Sequence, residues 1–281
     1  MVTRTSSGFT IIETLLFLGI TGLLVLGALI GTGANVNIQR YRDATETFKA
    51  VIQDQYADTA NVQNGRQNGG RCNTAAGVVS DASGEVRGQS KCVVVGKYVR
   101  VSGGNISIYT VLARERATTT PTSDDLISLR SNYALNISRT EVEKRTMEWG
   151  TTITWPATIP GEPLAKADNN GAAGSARSIA LLFLRSPDSG QVYTFSSNTV
   201  PTDVDIDNLS PTASPGFLTS MIVAGEGALP SQKARIICVN STGLFDYGQS
   251  AVYIAPYATS SSSVELMSND TMATRKVNGK C

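Results

Sequence analysis

A single carboxylate, Glu13, interrupts an otherwise apolar run, FTIIETLLFLGITGLLVLGALIGTGA, over residues 9–34. From Thr14 to Ala34 there are 21 residues without a charge, about 31 Å of helix at ~1.5 Å per residue, which matches a bilayer core of ~30 Å. An ionised glutamate within such a run costs on the order of 3 kcal/mol in a membrane, so this side chain needs a partner. If the chain is cut between Gly8 and Phe9, the new α-amino group lies four residues from Glu13, one helical turn, and supplies the opposite charge. In a bundle of such helices a neighbour's amino group does the same.

The other residues able to do chemistry are sparse. Histidine is absent, which removes the commonest general acid/base and the commonest transition-metal ligand. No Walker loop, H-E-x-x-H, G-x-S-x-G or S-x-x-K pattern occurs, so neither an enzyme nor a cofactor is expected. Asp203, Asp205 and Asp207 alternate as a calcium loop begins, but Asn208 stands at the turn glycine and Ser214 where a bidentate glutamate closes such a loop. A solvated loop or the exposed face of an edge strand is the competing reading of that stretch. Cys72, Cys92, Cys238 and Cys281 lack C-x-x-C spacing and read as two structural disulfides. Of three formal pairings, proximity favours Cys72–Cys92 with Cys238–Cys281. Asn105, Asn136, Asn240 and Asn269 begin Asn-x-Ser/Thr tripeptides, which arise by chance in Ser/Thr-rich chains.

Lys and Arg number 24 against 23 Asp and Glu, with no block of like charge, so nothing marks nucleic acid as a partner. A hydrophobic content of 41% requires a core. Beyond the apolar run, Ile38, Tyr41, Thr45, Phe48, Ile52 and Tyr56 recur three or four apart with Arg42, Asp43, Glu46 and Lys49 between them, which continues the helix with one stripe packed on a body. Asn64–Gly70 should stop it near residue 62. Short β-rich runs follow at Cys92–Val101, Ile106–Ala113, Ser178–Leu184, Gln191–Phe195, Arg235–Val239, Gly243–Tyr247 and Val252–Ile254. Short helices are expected at Ser123–Ser131 and Thr140–Trp149, capped by Ser123 and Thr140, and Ser260–Ser263 reads as a loop. The expected class is α+β: a long N-terminal helix whose outer half lies on an antiparallel sheet.

The string Gly8-Phe9-Thr10-Ile11-Ile12-Glu13 ahead of an uncharged apolar run resembles the processing motif of type IV prepilins and pseudopilins, with the resemblance extending over roughly residues 4–62. It implies that a prepilin peptidase cuts after Gly8 and releases residues 1–8 as a leader. Phe9 becomes the N-methylated terminus, and Glu13 docks the subunit into a filament. It further implies a helix over 9–62, with 9–34 first in the cytoplasmic membrane and later in the filament core, and a β-rich head over 63–281. Identical or homologous subunits and the pilus assembly machinery are the implied partners, and an extracellular surface filament is the implied destination. A pseudopilin of a type II secretion or DNA-uptake machine is the alternative within the family. Outside it stand a secreted domain behind a signal peptide cut near Ala34, and a single-pass anchor carrying an extracellular binding domain; both leave Glu13 unexplained.

Two features depart from the family pattern. Arg40, Arg42 and Lys49 follow the run while Arg4 alone precedes it, so charge bias does not favour a cytoplasmic N-terminus. No proline loosens the helix; Gly27, Gly31 and Gly33 supply weak points instead, each about 1 kcal/mol poorer than alanine in a helix. Because the peptidase of the resembling family accepts minimal bulk at the cut, Gly8→Ala should slow maturation and Gly8→Val should abolish it. Immunoblots that resolve precursor from mature chain check this, and efficient cutting of the valine variant would remove the resemblance's main consequence.

Overall fold

The computed structural model describes residues 10–61, 70–80, 85, 89–154, 178–197, 200–222, 235–240, 250–268 and 271. Helix α1 runs without interruption over Ile11–Ala60, 50 residues, about 75 Å at ~1.5 Å per residue. Along it the environment changes abruptly. Ile11 to Ile30 are exposed apart from half-buried Thr21, whereas Tyr41, Ala44, Thr45, Phe48, Val51, Ile52, Gln55, Tyr56 and Thr59 are buried at a spacing of three or four, with Ile38 half-buried at the start of the stripe. The expected stripe is present, and the helix ends at Ala60 with Asn61 donating its N–H back to Ala57.

Eleven strands are described, all antiparallel. They are β1 (Gly70–Cys72), β2 (Val78–Ser80), β3 (Val93–Ser102), β4 (Asn105–Glu115), β5 (Tyr133–Thr146), β6 (Thr152–Thr154), β7 (Ser178–Arg185), β8 (Val192–Ser197), β9 (Arg235–Asn240), β10 (Ser250–Ile254) and β11 (Val264–Ser268). They form a five-stranded sheet in the order β5-β4-β3-β7-β8, a four-stranded sheet in the order β11-β10-β9-β6, and the pair β1-β2. The expected single sheet is thus two larger sheets, both packed on α1. The main core collects Tyr41, Phe48, Ile52 and Tyr56 with Val99, Ile108, Leu181 and Phe183 of one sheet and Ile237, Val239, Val252 and Ile254 of the other.

Strand β7 explains why the five-stranded sheet is covered twice. Its run Ser178-Ile-Ala-Leu-Leu-Phe-Leu-Arg185 is apolar without alternation, the mark of a strand buried on both faces. Ile179, Leu181 and Phe183 join the α1 core. Ala180, Leu182 and Leu184 enter a second core with α2 (Asp125–Ser131), α3 (Asp203–Asp207) and α4 (Gly216–Met221), through Leu129, Ile206 and Leu218. Gly96 sits where β3 bulges, and a Cβ there would run into the carbonyl oxygen of Phe183, so only glycine lets the two strands approach.

Three expectations are corrected. Thr140–Trp149 is not a helix: residues up to Thr146 complete β5 against β4, with Asn105 opposite Thr146 and Ile108 opposite Glu143, and a 3-10 turn covers Glu148–Gly150. Its Glu, Lys and Arg residues favour helix singly but form no apolar stripe, and a charged edge strand satisfies the hydrogen bonds that β4 offers. The cap of α2 is Asp124 rather than Ser123, its carboxylate accepting the N–H groups of Leu126 and Ile127. Ser261–Ser263 form a 3-10 turn where a loop was expected. Gly243–Tyr247 lies outside the described residues.

Helix and β9/β10 are joined by Tyr41, whose hydroxyl donates to the Val239 carbonyl at 2.6 Å and accepts the Ser250 N–H at 2.8 Å. Tyr41→Phe strips a partner from two backbone groups at once, which should lower stability by about 1–3 kcal/mol. Denaturant unfolding of the full chain in detergent, followed by aromatic circular dichroism, measures this; an unchanged midpoint would show that the bridge contributes nothing.

Candidate functional site: the N-terminal half of the long helix

Thr10 caps α1 and Glu13 stands three residues on, and the two close a reciprocal box. The Glu13 carboxylate accepts the Thr10 N–H and the Thr10 hydroxyl, each at 2.9 Å, while the Thr10 hydroxyl oxygen receives the Glu13 N–H at 3.3 Å. The motif T-x-x-E before an apolar run carries this geometry in the sequence itself, and sequence reasoning passed over it in seeking a charged partner. The expected partner, the amino group of a chain beginning at Phe9, involves Gly8 and Phe9, which lie outside the described residues. What the structure adds is that Glu13 already has neutral donors one turn before the span.

Within the span the other polar side chains are self-sufficient. Thr14, Thr21 and Thr32 return their hydroxyls to helix carbonyls three or four residues earlier, at 2.8–3.5 Å. No threonine here asks for water, a requirement for a helix in hydrocarbon. The apolar side chains meet nothing: Ile11 is 79% exposed, Leu23 74% and Ile30 67%. A Cβ placed on Gly19, Gly22, Gly27, Gly31 or Gly33 would find no atom within 4 Å. The helix is long and apolar enough to cross a membrane, with a mean hydropathy of 2.3 over its most apolar stretch.

The remaining candidates resolve into structural roles. Cys72 and Cys92 are disulfide-bonded with Cα atoms 5.5 Å apart, as expected, and their small cluster packs β1 and β2 beside Leu112 and Ala134. Cys238 is buried and disulfide-bonded; Cys281 lies outside the described residues. Asp203, Asp205 and Asp207 do not converge. The Asp203 carboxylate takes Arg100 and the Tyr109 hydroxyl, each at 3.0 Å. Asp205 turns back to Thr202 in a second T-x-x-D box, whose hydrogen bonds hold its carboxyl below the ordinary range. These residues form α3, not the expected loop or strand, and among the described residues no three metal-ligating side chains come together. Asn136 is buried and donates to the carbonyls of Ala75 and Ala213, Asn105 sits exposed at the β3–β4 turn and Asn240 is half-buried. Asn269 lies outside the described residues.

No family model, no characterised protein and no solved structure matches this chain.

The box makes a local prediction. Thr10→Val removes the side-chain cap and should cost the first turn about 1 kcal/mol, roughly a fivefold rise in opening. Amide exchange at Glu13 and Thr14 in micelles reads it, and unchanged rates would mean the box does not hold the helix start.

Proposed function

We propose that this chain is a structural subunit of a type IV pilus-like surface filament, processed after Gly8 by a prepilin peptidase, held in the cytoplasmic membrane by residues 9–34 and then assembled through that segment. The observation that carries the reading is one helix with two surroundings. Its second half is the core of a folded head, while the large apolar side chains of its first half, from Ile11 to Ile30, pack on nothing and need lipid or other helices around them. Copies of the chain supply such helices, and the head, with its Cys72–Cys92 staple, forms the filament's exterior. The identity of the fold as pilin-like belongs to this proposal.

In this account Glu13 changes partners. In the uncut chain Thr10 holds the carboxylate. After cutting, the ammonium of Phe9 stands one residue from the Thr10 N–H, so the same chain or a neighbour can bring a cation to the carboxylate in a dry bundle. Removing one member of such a buried pair typically costs about 3–5 kcal/mol, which shifts subunit addition by a hundredfold or more. A lone subunit in the membrane keeps its terminus at the surface and escapes most of that penalty.

Glu13→Val should therefore leave cleavage and insertion intact while sharply lowering filament yield. Sheared surface material and membranes are separated and mature chain is quantified in each. Mature monomer accumulating in the membrane supports the proposal; wild-type filament yield from the valine variant contradicts it.

A further inference from the structure

Where α1 leaves the head, one large aromatic side chain is left outside the core. Trp149 is 55% exposed, in the 3-10 turn Glu148–Gly150 that packs on α1. Its backbone is left-handed, with φ 56°, a conformation that bulky residues rarely adopt unless the surroundings impose it. The surroundings are firm. Met147 and Thr151 on either side are buried. Met147 donates its N–H to the Gly104 carbonyl at 2.7 Å, Ile153 to Gly103 at 3.0 Å, and Thr151 to Glu148 at 3.1 Å. The turn is therefore built to project its tryptophan outward.

The direction of projection follows from α1. The Glu148 carboxylate accepts the Thr47 hydroxyl at 3.4 Å, while the Arg40 guanidinium lies over the Trp149 ring, 4.6 Å from its centre. Thr47 is seven residues further from the apolar run than Arg40, roughly 10 Å along the axis. The acid thus reaches away from the run and the ring lies on the side toward it. Arg40 follows Ala34 by six residues, about 9 Å of helix, and helix side chains lean toward the N-terminus, so the stacked pair lies lower still. Val36, 42% exposed and one turn below Arg40, continues the apolar surface toward the run.

We propose that Trp149 is an interfacial membrane anchor. The turn Glu148–Gly150 is the foot on which the head stands on the bilayer before assembly, with the ring at the boundary between acyl chains and headgroups and Arg40 reaching the lipid phosphates. The inference rests on the reading that residues 14–34 span a membrane. Headgroup layers add ~5–8 Å on each side of the hydrocarbon, which is the height at which this pair sits above the run. A tryptophan is the side chain that prefers this layer, because its ring is apolar and its N–H is a donor. Arginine stacked on the ring presents a cation to the anionic headgroup phosphates.

The test uses the full chain in phosphatidylcholine nanodiscs whose acyl chains carry bromine either near the headgroup or near the chain end. Of the two tryptophans, Trp155 is removed by Trp155→Phe, and wild type minus Trp149→Phe gives the same signal should that variant misfold. Trp149 emission should be lost strongly to the shallow bromine, weakly to the deep one, and little to aqueous iodide. Leu23→Trp in a chain lacking both native tryptophans reports on the span and should be lost to the deep bromine. Deep quenching at position 23 with Trp149 open to iodide overturns the anchor and leaves the span standing. Trp149 shielded from both bromine and iodide also overturns it and points to a neighbouring head as the cover. Absence of quenching at position 23 overturns span and anchor together.

Discussion

A continuous helix with two unlike halves, one buried in a folded head and one apolar and bare, governs the rest of this molecule. The buried stripe from Tyr41 to Thr59 gives α1 the packing energy of a folded head, and a helix so nucleated propagates back through an apolar run that could not otherwise be stable in water. The cost is a row of leucines and isoleucines that the head does not cover. Evenly exposed around the axis, they form no single sticky face but a cylinder, which suits a solvent of hydrocarbon or a ring of like helices better than one docking partner. Both larger sheets are arranged around the outer half of the same helix, so the head's fold and the run's exposure follow from one element.

Glu13 is the exception to that cylinder, and its chemistry is a matter of which donors surround it. In the single chain, Thr10 offers a backbone N–H and a hydroxyl, enough to cap a helix but not to neutralise a carboxylate drawn into a dry bundle. In the proposed filament that carboxylate would exchange its neutral donors for an amino group, and the arrival of the cation would bias the chain toward assembly. The threonines in the run are indifferent to that change because their hydroxyls already bond within the helix.

The sequence carried the long helix plainly, since 21 uncharged residues followed by a three-and-four stripe admit few other readings. Strands β3, β4, β7, β8, β9 and β10 were legible for a similar reason, as runs of branched and aromatic residues between turns. Strands β5 and β11 went unread, the second half of β5 because Glu141-Val-Glu-Lys-Arg145 has the composition of an exposed helix and becomes a strand by pairing with β4. Pairing is a tertiary fact that local propensity does not contain. Strands of three residues, such as β1, β2 and β6, leave too short a pattern to read. At the site, Glu13 stood out by its charge, while the two threonine boxes at Thr10 and Thr202 were present as T-x-x-E and T-x-x-D and went unread. Asp203 and Asp205 looked like ligands for want of knowing that Arg100, Tyr109 and Thr202 would reach them first. Nothing in the residue types announced that Trp149 would be held left-handed beneath Arg40.

The central claim, that the bare half of α1 is released at Phe9 and becomes the core of a filament, meets its most direct test in the N-terminus of protein sheared from the cell surface. Mass spectrometry of that material should find chains beginning at Phe9 and carrying an N-methyl group. Chains beginning near Asn35, or intact at Met1, would contradict the account.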